Sequence, residues 1–146
     1  MLQPLTHPNA DLTWVRHADV GTPGFAALPG LPAPTEYDFL VYKGVESDMH
    51  PYGACYHDMA DTISTGLIEW LTVKGVRHII VGGLATDYCV KTTVLQLCRG
   101  GDWQVLVNLA ACRGIAPDTT AAAIAQMQAA GAQVLPDSHA IAALLA

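Results

Sequence analysis

The run His78-Ile79-Ile80-Val81-Gly82-Gly83-Leu84-Ala85-Thr86-Asp87-Tyr88-Cys89 joins an apolar stretch to a short turn and a cysteine. Residues 78–83 are nearly all apolar, the pattern of a strand buried on both faces of a parallel sheet. Beyond the turn, Val90, Val94, Leu97 and Cys98 recur at helical spacing over residues 88–98, before Gly100-Gly101. A strand that runs through a turn into a helix is half of a strand–helix–strand unit. The rest of the unit follows at Trp103-Gln104-Val105-Leu106-Val107, a further strand.

The alternation continues in both directions. Downstream, Asp118-Thr119-Thr120 is expected to cap an Ala-rich helix that runs to about Ala130, with Gly131 after it. Gln133-Val134-Leu135 reads as a short strand and 138–145 as a last helix. Upstream, Ile63, Leu67, Trp70 and Leu71 give residues 62–74 a helical period that ends at Gly75. Tyr37-Asp38-Phe39-Leu40-Val41-Tyr42 reads as a short strand closed by Lys43-Gly44. Residues 1–36 hold most of the prolines and no sustained period, so they read as loop. The pattern is that of a single domain over residues 1–146, loop-rich to residue 36 and alternating from 37 onward. Its expected class is α/β, a three-layer αβα arrangement on a parallel, Rossmann-like sheet.

Composition narrows the function. The 146 residues are 51% hydrophobic and 14% charged, which marks a globular chain with a core. Seven basic and 13 acidic residues give a net charge of −6, so nucleic acid is not an expected partner and an anionic membrane surface is not attractive. No apolar run reaches the length of a membrane span. Met1-Leu2-Gln3-Pro4 has no leader signature, and no pair among Cys55, Cys89, Cys98 and Cys112 has CxxC spacing. A reducing, cytoplasmic setting is the expectation.

In a parallel α/β sheet, sites form at the carboxyl ends of the strands. Two reactive side chains are placed there: Lys43 at the end of one strand, and Cys89 just past another, at a helix start. Unpaired backbone N–H groups and the helix dipole stabilise negative charge on such a sulfur by roughly 0.3–2 kcal/mol. An ammonium about 4 Å away, at an effective dielectric of ~20, offers about 4 kcal/mol before desolvation. The lysine, if within reach, is therefore the larger influence. The same N–H groups could receive an oxyanion. The residues also allow a plainer reading, with Cys89 as a small core residue and Lys43 as solvated surface. Asp87 is expected to cap backbone N–H groups rather than act as an acid, and Cys112 to pack. His50, Cys55 and His57 form a His-x4-Cys-x-His spacing that a fourth ligand could turn into a zinc site.

The stretch Gly83-Leu84-Ala85-Thr86-Asp87-Tyr88-Cys89-Val90-Lys91 resembles the nucleophile motif of nicotinamidases, within the isochorismatase-like cysteine hydrolase family. Tyr42-Lys43-Gly44 is similar to that family's catalytic-lysine segment. Trp14-Val15-Arg16-His17-Ala18 with Gly21-Thr22-Pro23-Gly24 resembles its Trp-Pro-x-His-Cys … Gly-Thr-Pro-Gly segment, with the Pro and Cys replaced. The resemblance runs from about Trp14 to the C-terminus. It implies an isochorismatase-hydrolase-like fold and a thiol-dependent amidase that converts nicotinamide to nicotinate and ammonia, a step of NAD salvage. Cys89 would attack the carboxamide carbon and form a thioester. Lys43 would hold the sulfur, and the backbone N–H groups of Ala85 and Cys89 would bind the oxyanion beside a cis peptide between Leu84 and Ala85. Trp14, Tyr52 and Leu84 would contact the substrate. His17 would ligate a divalent metal (zinc, iron or manganese).

The chain departs from that pattern at the front. The family's catalytic Asp and its Asp-x-His metal segment precede the region that aligns, so an N-terminally incomplete fold is expected, with the metal site incomplete or absent. His7-Pro8-Asn9-Ala10-Asp11 echoes the metal segment, but lies too close to His17. Without the first strand, strand 78–83 should show an uncovered apolar edge, and loss of a proton carrier costs roughly 10²–10⁴ in rate. A homo-oligomer or a second chain that completes the sheet is one expectation. A recruited carboxylate, Asp48 or Asp19, is another. The alternatives are a non-catalytic relative with a binding or scaffold role, and a cysteine hydrolase acting on a different small amide.

Overall fold

The computed structural model describes residues 3–4, 12–46 and 49–146. Two short strands, β1 (Gln3–Pro4) and β2 (Leu12–Thr13), pair antiparallel near the N-terminus. The described residues among 14–65 then run as turns and extended coil, with a 3₁₀ turn at Pro34–Glu36. From there the order is α1 (Leu67–Val73), β3 (His78–Leu84), a single π turn (Thr86–Val90), α2 (Lys91–Gly100), β4 (Gln104–Arg113), α3 (Pro117–Ala129), β5 (Gln133–Leu135) and α4 (Ser138–Leu145).

Strands β3, β4 and β5 form a parallel sheet in the order β3-β4-β5. Each crossover passes through a helix, as a parallel connection requires. Val105 and Val107 on β4 pack into one buried cluster with Leu71 of α1, Val94 and Leu97 of α2, and Met127 of α3. Leu106 points to the opposite face of β4 and is also fully buried. The fold is thus the expected three-layer α/β arrangement, with α4 packed against β4 and β5.

The pairing of β3 with β4 slips between Val81 and Gly83, where β4 bulges: Val81 faces Val107 but Gly83 faces Cys112. Two glycines make this possible. A Cβ on Gly82 would lie 2.9 Å from the Ala111 Cβ, and Gly83 holds φ at +138°, a backbone that L side chains rarely adopt. The chain leaves β3 through a cis Leu84–Ala85 peptide, as expected.

Several expectations need correction. Strand β3 is not buried on both faces: Ile80 is 55% and Leu84 70% exposed. It is the edge of the sheet among the described residues, and the uncovered apolar edge expected of an incomplete sheet is present. Residues 37–42 form no strand. Their β propensity is local, but a strand exists only through a ladder, and no described segment offers them one. Aromatic contacts hold them instead: Phe39 stacks on Trp70 at 5.3 Å and Tyr42 on Phe25 at 6.1 Å.

Helix α1 begins at Leu67 rather than 62. Asp58 accepts hydrogen bonds from the N–H groups of Thr62 and Ile63 and from the Thr62 hydroxyl, and Gly66 turns left-handed at φ +85°. Both features spend residues 62–66 on a turn. Asp118 does not cap α3, whose start is served by a carboxylate from another segment. Asp137 does cap α4, with Oδ1 accepting the Ala140 N–H at 2.9 Å.

Candidate active site

Strands β3 and β4 end on the same side, and the segments that leave them build one wall of a cavity of about 430 Å³. Its lining includes Leu84 at the end of β3, Ala85 and Cys89 after it, and Ile115 after β4. The irregular region supplies the rest: Trp14, His17, Ala18, Lys43, Gly44, His50, Pro51 and Tyr52. All seven residues singled out in the sequence, Cys89, Lys43, Ala85, Trp14, Tyr52, Leu84 and His17, therefore meet at one pocket.

Cys89 lies in the π turn that starts the α2 segment. The Lys43 ammonium donates to its Sγ at 3.1 Å. The same ammonium donates to the Tyr52 carbonyl at 2.7 Å and, more weakly, to the Pro51 carbonyl at 3.4 Å. An ammonium has three N–H groups, so Lys43 is fully committed. One donor faces the sulfur and two hold the loop that carries Tyr52.

That loop is itself bolted to α2. The Ala54 N–H donates to the Thr93 hydroxyl at 3.0 Å and the Cys55 N–H to the Gln96 side-chain oxygen at 3.1 Å. Gln96 is buried, and its amide donates to Asp61, which also pairs with Arg99. Gly53 lies so close to Gln96 that an added Cβ would overlap its side-chain amide.

Asp87, two residues before Cys89, is buried and serves the next crossover. Its carboxylate accepts from the Ile115 N–H at 3.1 Å, the Ala116 N–H at 3.3 Å and the Thr119 hydroxyl at 2.6 Å. Burial pushes this carboxyl up, but the Thr119, Ile115 and Ala116 hydrogen bonds outweigh it and hold it below the usual carboxylate range. Asp87 thus holds the two residues that lead into α3 and its first-turn Thr119 hydroxyl, and ties Ile115, on the pocket wall, to the turn that carries Cys89. The expected capping role holds, though for a helix other than its own.

The other three cysteines differ from Cys89. Cys55 is fully buried, and burial pushes its thiol up to about 12, with Asp61 and Glu69 adding to the effect. Burial also raises Cys98 and Cys112. A zinc site at His50, Cys55 and His57 is overturned by this placement. The Cys55 sulfur is sealed in the core while His50 faces the pocket, and no group of three or more metal-ligating side chains occurs among the described residues.

The His17 ring places Nδ1 2.6 Å from the Val15 carbonyl. The carbonyl can only accept, so Nδ1 is the protonated nitrogen and Nε2 is the one that could ligate. His17 and His50 share the cavity lining, but a catalytic metal takes three protein ligands. The described residues do not make a complete set. Asp19 is held by Arg16 and does not line the cavity. His7, Asp11 and Asp48 lie outside the described residues.

Sequence reasoning passed over Tyr88. Its ring meets Trp14 at 4.9 Å, nearly edge-on, and Tyr52 at 5.7 Å. Its only signal in the sequence was adjacency to Cys89.

Comparison with known proteins agrees with this geometry. The model of the Isochorismatase domain matches residues 7–137. The nicotinamidase/pyrazinamidase of Mycobacterium tuberculosis is 34% identical over 134 residues, which span 90% of this chain and 67% of that protein. The Escherichia coli nicotinamidase is 36% identical, over 76% of this chain and 61% of its own length. Among solved structures, an Acinetobacter baumanii nicotinamidase superposes with a TM-score of 0.79 at 29% identity, over 92% of this chain and 64% of that one. A Pyrococcus horikoshii pyrazinamidase in complex with zinc gives 0.71 at 28% identity, over 84% of this chain and 63% of that one. The chain spans about two thirds of the length of these relatives. With nine-tenths of its sequence inside the matched span and Lys43 joined to Cys89 at the carboxyl edge of the sheet, the chain belongs to the isochorismatase domain family.

Proposed function

We propose that the pocket hydrolyses a small aromatic carboxamide, nicotinamide, to nicotinate and ammonia through a thioester on Cys89. The observation that carries this reading is the 3.1 Å contact between the Lys43 ammonium and the Cys89 sulfur, inside a cavity walled by Trp14 and Tyr52. The nicotinamidases among its relatives support the choice of substrate.

The Lys43 charge stabilises negative charge on the sulfur, which attacks the carboxamide carbon as a C–S bond forms. The oxyanion that develops is received by the backbone N–H groups of Ala85 and Cys89, at the positive end of the π turn and α2. The C–N bond breaks and the thiol's proton leaves with the amine as ammonia. Water then adds to the thioester, and the C–S bond breaks to release carboxylate and restore the thiol. Lys43 is a fixed cation in this scheme, since its N–H groups are spent on the sulfur and the Tyr52 loop. Leu84, Trp14 and Tyr52 enclose the ring. His17 Nε2 offers one ligand to a divalent metal.

A proton carrier is needed, and the described carboxylates near the site are engaged elsewhere: Asp87 with the start of α3 and Asp19 with Arg16. The reading assigns the edge of β3, uncovered among the described residues, to a further strand ending in a carboxylate, from a segment outside the described residues, a second copy or another chain. The exposed Ile80 and Leu84 support this assignment. Four free cysteines fit a reducing cytoplasm, and no described helix is long and apolar enough to cross a membrane.

The test is ammonia release from nicotinamide by the wild-type chain and by Cys89→Ala. Release that disappears in Cys89→Ala, with a nicotinoyl adduct on Cys89 by mass spectrometry, is expected. Equal rates would refute the thiol mechanism. Tight binding without any adduct would favour a non-catalytic role for the fold.

A further inference from the structure

We infer that Tyr88 is a positioning residue: it sets the aromatic walls of the cavity and so its selection for a flat ring. The inference rests on the reading that this pocket takes an aromatic carboxamide.

Tyr88 is not part of the cavity lining, yet it touches two residues that are. Its ring meets Trp14 at 4.9 Å and 78°, and Tyr52 at 5.7 Å and 50°. Tyr52 in turn meets His50 at 5.5 Å and 82°. Trp14, Tyr52 and His50 all line the pocket. They come from the irregular region, outside the helices and the parallel sheet. Tyr88 sits on the turn between β3 and α2. Its N–H donates to the Ala85 carbonyl at 3.1 Å. Asp87 before it is clamped to Ile115, Ala116 and Thr119, and Cys89 follows it.

The consequence is geometric. A ring anchored one residue from the nucleophile holds the two aromatic walls at a set distance from the sulfur. Edge-on and tilted arrangements are those that aromatic pairs favour. Tyr88 is half-buried and stands outside the main hydrophobic cluster, so its contribution to the core is small beside its contribution to the walls.

The test uses the full chain with Cys89→Ala, which binds without turnover, and titration calorimetry with nicotinamide. Each aromatic pair corresponds to roughly 2- to 12-fold in an equilibrium, so adding Tyr88→Leu should weaken binding about 5- to 100-fold. Tyr88→Phe, which keeps both ring contacts, should restore it to within about threefold of the parent. A second reading separates wall from scaffold. Iodoacetamide has no ring, so its rate of capture by Cys89 in Tyr88→Leu should stay within about threefold of wild type.

Undiminished nicotinamide binding in Tyr88→Leu would overturn the inference. So would capture slowed in parallel with binding, because Tyr88 would then be supporting the turn rather than the walls. A Cys89→Ala parent that binds no nicotinamide would overturn both this inference and the proposed substrate. Binding by the parent that Tyr88→Leu leaves intact would overturn this inference alone.

Discussion

Residues 66–146 and residues 14–65 build the same pocket by different means. The first region is held by a parallel sheet, four helices and a shared apolar cluster. The second, among its described residues, has turns and one isolated bridge between Tyr56 and Ser64, and many of its large apolar side chains are exposed, Val20, Leu28 and Tyr42 among them. It is held where single polar groups reach across to the first: Lys43 to Cys89, Ala54 to Thr93, Cys55 and Asp61 to Gln96, and Asp61 to Arg99. The regular region places the sulfur and the backbone N–H groups proposed to receive the oxyanion. The irregular one brings the ammonium and most of the aromatic wall. Placing a nucleophile takes a rigid strand end, whereas enclosing a substrate takes only a strap fastened at a few points.

That contrast can be broken most forcefully at the core. Leu106→Ala removes a fully buried side chain from β4 and should cost about 2–5 kcal/mol of global stability, read from denaturant midpoints. The corresponding change in the strap, Leu28→Ser at a side chain 73% exposed, should stay within about 0.5 kcal/mol. A similar cost at both sites would mean that the strap is covered as the core is.

Between these extremes lies the joint. Asp87→Ala would leave the N–H groups of Ile115 and Ala116 and the Thr119 hydroxyl without their acceptor, at a cost of about 1–3 kcal/mol. The pH dependence follows from its sign. Asp87 is held below the ordinary carboxylate range in the folded chain, so its stabilisation is complete above the unfolded value of about 4. It is lost as the pH falls through the lower folded value. Asp58, lowered first by the Thr62 hydroxyl and then by N–H groups of its own turn, behaves alike. Thermal melting of wild type should therefore drop below about pH 4, and Asp87→Asn should flatten part of that drop. An unchanged acid profile would remove Asp87 from the account.

Legibility in the sequence followed the same division. Residues 78–84 and the helices over 91–100, 117–129 and 138–145 were readable because their periodicity is local. The meeting of Lys43 with Cys89 was legible too, although Lys43 closes no strand. Residues 37–42 misled because a β-rich run says nothing about whether a neighbour exists to pair with it. Asp118 looked like a cap, yet the carboxylate at that helix start is Asp87, a side chain from the preceding crossover. Gln96, Thr93 and Tyr88 stayed hidden for one physical reason. Their partners lie more than thirty residues away in the chain, and no local pattern encodes that distance.

The central claim is that Lys43 activates one cysteine out of four. Its most direct measurement is the rate of iodoacetamide capture at each cysteine, located by peptide mass, in wild type and in Lys43→Met. Capture is predicted to fall first on Cys89, with Cys55 and Cys112 protected by burial and the partly buried Cys98 held as thiol by desolvation, and to slow by about tenfold or more in Lys43→Met. Equal capture at Cys112 or Cys98, or a Cys89 rate indifferent to Lys43→Met, would contradict the account.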